Sequence, residues 1–115
     1  MLLPVEALQQ FDNAIYSYMI VNFLERDRKM FEDAPFKLKQ PYIEVVESAL
    51  KAVRKDQREN NLFIKKHKIQ VPSGDNGGTF TEFTFVHGSC QDKRKYLNAR
   101  LQNRTEELLN EYLQK

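Results

Sequence analysis

Four side chains in the second half of the chain are of the types from which chemistry is built: His67, His87, Cys90 and Asp92. His87-x-x-Cys90 has a local spacing that a transition metal tolerates, but a closed site needs four well-placed ligands. Here the set of soft ligands is incomplete even if a hairpin register brings the two histidines face to face. A thiol reading is available too. Cys90 stands near the start of a predicted helix, where the dipole lowers a thiol pKa, and His87 is close in sequence. A nucleophile and its base need hydrogen-bond reach and a third orienting group, and no third group is apparent. The expectation is a non-enzymatic protein with no catalytic, metal or cofactor-binding residues. Asp75 and Asn76, within Pro72-Ser73-Gly74-Asp75-Asn76-Gly77-Gly78, are turn chemistry. No GxxxxGK[ST] phosphate-binding pattern occurs there.

The basic residues come next. Lys51, Arg54, Lys55 and Arg58 share one helical face, and Lys65, Lys66 and Lys68 follow on a predicted strand. Grouped cations are what phosphate contacts require. The order partly resembles a winged helix-turn-helix, with recognition helix, wing and C-terminal dimerisation helix. It departs from that pattern before the hairpin, where two helices stand instead of three, joined by a connector holding Pro35 and Pro41. The net charge is only +2, so nucleic-acid binding through these seven residues is the alternative reading. A solvated face of an amphipathic helix accounts for them without a partner.

The aromatic residues Tyr16, Tyr18, Phe23, Phe80, Phe83 and Phe85 are of a kind that lines ligand pockets. Most fall at core-facing positions, so core packing is preferred and a small-molecule ligand is not expected.

The elements that must position these groups follow from periodicity. Residues 14–24, Ala-Ile-Tyr-Ser-Tyr-Met-Ile-Val-Asn-Phe-Leu, are apolar on more than one helical face, and such a helix must be covered on several sides. The run is too short to span a membrane, which takes roughly 20 apolar residues, so the cover is protein. This helix is expected from about Pro4 to Met30. A second follows from Pro41 to about Asn60, with Tyr42, Val46, Ala49, Leu50 and Val53 as its apolar stripe. Alternation over Leu62–Val71 and again over Thr79–His87 reads as a β-hairpin, with Ile69 opposite Phe83. Ser89 and Asp92 resemble a capping box for a third helix ending near Leu113. Leu97, Leu101, Thr105, Leu108 and Tyr112 are its buried stripe, and Leu109 and Leu113 widen it.

The third helix is basic early (Lys93, Arg94, Lys95, Arg100, Arg104) and acidic late (Glu106, Glu107, Glu111). That order opposes the helix dipole, whereas an antiparallel copy of the same helix would match it charge for charge. Together with the all-round apolar first helix, this points to a homodimer through the first and third helices, with Tyr16, Ile20, Leu24, Leu109 and Leu113 at the contact.

At 115 residues, 41% hydrophobic and 30% charged, the chain is expected to form a single globular domain, 1–115. One cysteine permits no internal disulfide. Met-Leu-Leu-Pro-Val-Glu lacks the basic start and long apolar run of a secretory leader, so a cytoplasmic location is expected. The fold class is α+β: three helices with a two-stranded antiparallel hairpin, in the order α-α-β-β-α. The function expected is a small association or regulatory module.

Overall fold

The computed structural model describes residues 5–35, 37–66, 69–87 and 90–114. It is α+β, as expected. Two long antiparallel helices, α1 (Val5–Asp33) and α2 (Gln40–Lys66), lead into an antiparallel sheet of β1 (Ile69–Asn76), β2 (Phe80–His87) and β3 (Cys90–Leu97), and α3 (Asn98–Leu113) closes the chain. The hairpin thus carries a third strand, and the order becomes α-α-β-β-β-α.

That third strand occupies residues assigned from the sequence to the start of the last helix. Lys93, Arg94 and Lys95 disguise it, since such charges fit a helix surface. In the fold they lie exposed on an edge strand, where charge hinders pairing with a foreign strand. Tyr96 anchors the strand: its ring meets Phe83 edge-on at 5.4 Å and its hydroxyl donates to Asp12 Oδ1 at 2.6 Å. The helix therefore begins at Asn98 without a side-chain cap, and Ser89 lies outside the described residues.

The second helix runs six residues beyond the expected end. Asn60 and Ile64 are both buried and continue the stripe of Val46, Leu50 and Val53, so helical burial overrides the local alternation of residues 62–66. Ile43 takes the buried place expected for Tyr42, which stacks on Phe31 at 5.7 Å from a half-exposed position. The strand β1 accordingly starts later and passes through Pro72. A shift of register between Gln70 and Ser73 accommodates it, because a bulge on an edge strand asks no ladder N–H of proline. Ile69 pairs with His87 rather than with Phe83.

The turn of this hairpin falls at residues 76–80. Gly78 has φ +95°, a conformation glycine adopts without penalty. Its N–H donates to Asn76 Oδ1 at 2.9 Å. Asn98 then pins the turn to α3. Its N–H donates to Thr79 O at 2.9 Å, its Nδ2 donates to Gly78 O at 2.8 Å and Asn76 Oδ1 at 3.1 Å, and its Oδ1 accepts from Thr81 Oγ1. The hairpin turn thereby satisfies the first donor of a helix that has no cap of its own.

The apolar surround of α1 is resolved within one chain. Phe11 and Ile20 are nine residues apart, about 180° around a helix, and each is buried in a different cluster. Phe11 and Ile15 meet Ile64 and Leu101, with Phe83 and Tyr96 of the sheet packed alongside. Ile20 and Leu24 meet Val46, Ala49, Leu50 and Val53, with Leu108, Leu109 and Tyr112 alongside. The result is a slab, 56 × 32 × 19 Å, with a radius of gyration of 16.1 Å. A compact chain of this length has about 13 Å.

Candidate functional site

Between α1, α2 and α3 runs a half-open groove of about 460 Å³. Helical spacing on α2 carries Asp56, Glu59, Asn60 and Phe63 to its wall, α1 contributes Gln10, Asn13, Tyr16, Ser17 and Ile20, and α3 contributes Leu108 and Tyr112. The lining is mixed: Ile20, Phe63 and Leu108 stand beside two tyrosines and six polar or charged side chains.

Two hydrogen bonds tie four of those side chains, Tyr112 to Asp56 and Asn60 to Gln10. The Tyr112 hydroxyl donates to Asp56 Oδ2. Burial pushes the Tyr112 pKa up, and this bond to the Asp56 carboxylate raises it further. Tyr16 is raised as well, first by burial and then by the Asp12 charge, with Arg104 and Arg100 pulling it back. Asn60 is only 6% exposed. Its Nδ2 donates to the Gln10 backbone O at 2.9 Å and to Gln10 Oε1. Its Oδ1 is buried and meets no hydrogen-bond partner among the described residues. Sequence reasoning passed over this residue, although the signal was there: a polar side chain on the apolar stripe, between Val53 and Ile64.

The basic residues singled out from the sequence do not form a helix and a wing. Lys51, Arg54, Lys55, Arg58, Lys65 and Lys66 are all exposed, and all six lie on α2. Lys65 and Lys66 end that helix instead of entering the hairpin, because the buried Ile64 keeps the backbone helical there. Lys68 lies outside the described residues. Acidic partners also interleave the face: Arg54 pairs with Glu25, and Arg28 reaches Glu47 at 3.6 Å and Glu32 at 3.3 Å.

Of the proposed self-association residues, Ile20 and Leu24 are each 1% exposed. The facing helices of the same chain cover them, so they offer no surface to a partner. Tyr16 and Leu109 are half-buried and Leu113 is exposed. The outward apolar groups of α1 are instead Tyr18 (63% exposed), Phe23 (42%) and Met30 (61%).

The chemistry-bearing set also moves. Cys90 opens β3 and not a helix. The β2–β3 register sets it directly across from His87. His67 and the side chains of His87, Cys90 and Asp92 lie outside the described residues. Among the described residues no three His, Cys, Asp or Glu side chains gather as a metal cluster, and no helix is long and apolar enough to cross a membrane.

The fold and groove together define a small α+β protein in which a helical hairpin is closed by a meander and a third helix. The chain belongs to the family described as YhjD protein, whose pattern it matches over residues 2–115. It is 30% identical over 111 residues to the Bacillus subtilis (strain 168) protein described as "Uncharacterized protein YhjD", an alignment covering 96% of this chain and 92% of that one. No solved structure matches the chain.

Proposed function

We propose that the protein is a non-enzymatic cytoplasmic association module that works as a homodimer through α1 and α3. The observation that carries this reading is the pair Phe23 and Met30, which stays in water after one chain has packed both its clusters. Phe23 and Met30 stand one heptad apart, about 20° around the helix. Exposed apolar side chains grouped on one helical face suit an interaction surface.

A second copy is the occupant the charges favour. Arg100 is exposed on the first half of α3, and Glu106 and Glu111 on the second, beside the Arg104–Glu107 pair formed within the chain. A twofold axis presents the same patch to itself and sets these halves against each other with opposite sign. The two helices adjoin within the chain, where Thr105 Oγ1 lies 3.8 Å from Met19 Sδ. The slab shape supports the same reading, since a thin monomer leaves a broad face to cover. Nucleic acid is less well supported, because Glu25 already engages Arg54 of the α2 face.

Light scattering over a dilution series tests the proposal. Twice the chain mass of 13.6 kDa, falling towards one chain on dilution, is the expected result. A single-chain mass at every concentration contradicts it.

A further inference from the structure

The three-helix groove combines features that core packing alone does not call for. Its volume of about 460 Å³ falls within the range of small-molecule sites, roughly 300–1,000 Å³. Its lining includes two carboxylates, Asp56 and Glu59, and neither lysine nor arginine. In the same wall, the buried Asn60 Oδ1 is left without a donor. Turning the amide over does not relieve this. It sets Oδ1 against the Gln10 O and Oε1 acceptors that Nδ2 now serves, so Gln10 fixes the orientation. A buried carbonyl oxygen without a partner is rare and calls for a donor.

We propose that the groove binds a small organic ammonium ion with an apolar body. An ammonium group brings three donors and no acceptor, the complement of a wall that offers two carboxylates, with the unpartnered Asn60 Oδ1 buried beneath its surface. The apolar body lies along Tyr16, Phe63 and Leu108, and an aromatic face adds attraction for the cation. Asp56 already accepts from Tyr112 and is held in place by it. The arginines that act on Tyr16 are Arg104 and Arg100, and Arg104 is itself engaged by Glu107 at 2.9 Å. An anion meets the fields of Asp56 and Glu59 unfavourably. All the lining residues come from one chain, so this site stands or falls separately from the dimer.

The test uses the whole 115-residue chain and three probes sharing one ring: phenethylammonium, 2-phenylethanol and 3-phenylpropionate. Amide and side-chain NMR shifts locate binding, and titration gives the affinity. Phenethylammonium is expected to shift Asn60, Asp56 and Tyr112, with the alcohol at least roughly tenfold weaker and the carboxylate weaker still. Asp56→Asn keeps an acceptor for Tyr112 but removes the charge, and lowers the ammonium affinity by roughly tenfold or more. Circular dichroism checks that this variant folds, and the comparison of probes on the unchanged protein does not depend on it. Equal affinity for ammonium and alcohol overturns the proposal, as do shifts confined to other residues. So does the absence of any response to roughly 10 mM probe; Asn60 Oδ1 is then met by water alone.

Discussion

At one end of α1, Ile20 and Leu24 pack on Val46, Ala49, Leu50 and Val53, a helix-against-helix contact of aliphatic side chains. At the other end, Phe11 and Ile15 meet Ile64 and Leu101, and polar groups tie the surroundings together: Asn60 to Gln10, Tyr96 to Asp12, and Asn98 to the hairpin turn. The first cluster is held by area removed from water, which is non-directional and tolerant. The second joins a helix pair to a sheet, and fixing their relative placement takes directed bonds. A helix can serve both because residues nine apart face opposite ways, which is why α1 looks apolar all round while little of it is free.

Removing volume from either cluster has the largest effect. Phe11→Ala, at a fully buried position, is expected to lower unfolding stability by about 3–5 kcal/mol, and Leu24→Ala by about 2–5 kcal/mol. Urea denaturation measures both. The comparison sharpens if Phe11→Ala also frees the sheet, seen as hydrogen exchange in β2 and β3 faster than global unfolding allows, while Leu24→Ala leaves sheet exchange tied to global unfolding.

Losses at the polar end are intermediate. Asn98→Ala removes three side-chain hydrogen bonds around the turn and is expected to cost about 1–3 kcal/mol. A loss below that range would show that the turn holds without its link to α3.

Each region carries a tyrosine that makes its stability depend on pH. Burial and then the bond to Asp12 raise the pKa of Tyr96, and burial and then Asp56 raise that of Tyr112. The folded chain keeps these protons above the ordinary value of about 10, while the unfolded chain releases them. Their contribution is therefore complete below pH 10 and is lost as pH rises beyond it. Unfolding free energy measured from pH 9 to 11.5 should fall, and fall less steeply in Tyr96→Phe and Tyr112→Phe. An unchanged slope in both variants breaks the assignment. The smallest effect belongs to the exposed Arg54–Glu25 pair, where Arg54→Ala should change stability by about 0–1 kcal/mol.

The same division governs what the sequence made legible. The aliphatic cluster announces itself through period: Val46, Ala49, Leu50 and Val53 fall on one helical face and are buried. The hairpin is legible as two strands about a glycine-rich turn, but not in register, since no local rule locates the bulge near Pro72. Nor was β3 visible, because its identity rests on Tyr96 reaching Asp12, 84 residues away. The groove was hidden for a similar reason. Asn60, Asp56 and Tyr112 acquire roles only when three helices meet, and single-helix patterns rank them as ordinary surface or stripe residues. Counting apolar directions on α1 identified a helix needing cover on two sides, but could not tell cover within the chain from cover by a second copy. Of the contact residues the sequence suggests, Tyr16, Ile20, Leu24, Leu109 and Leu113, the chain itself buries Ile20 and Leu24.

What α1 still exposes decides the functional account. Sedimentation equilibrium should be run on the native chain and on a Phe23→Ser, Met30→Ser variant at equal concentrations. The account predicts a dimer that becomes a folded monomer in the variant, with the helical signal retained. A native chain that sediments as a monomer throughout, or a variant that dimerises as tightly as the native chain, contradicts it.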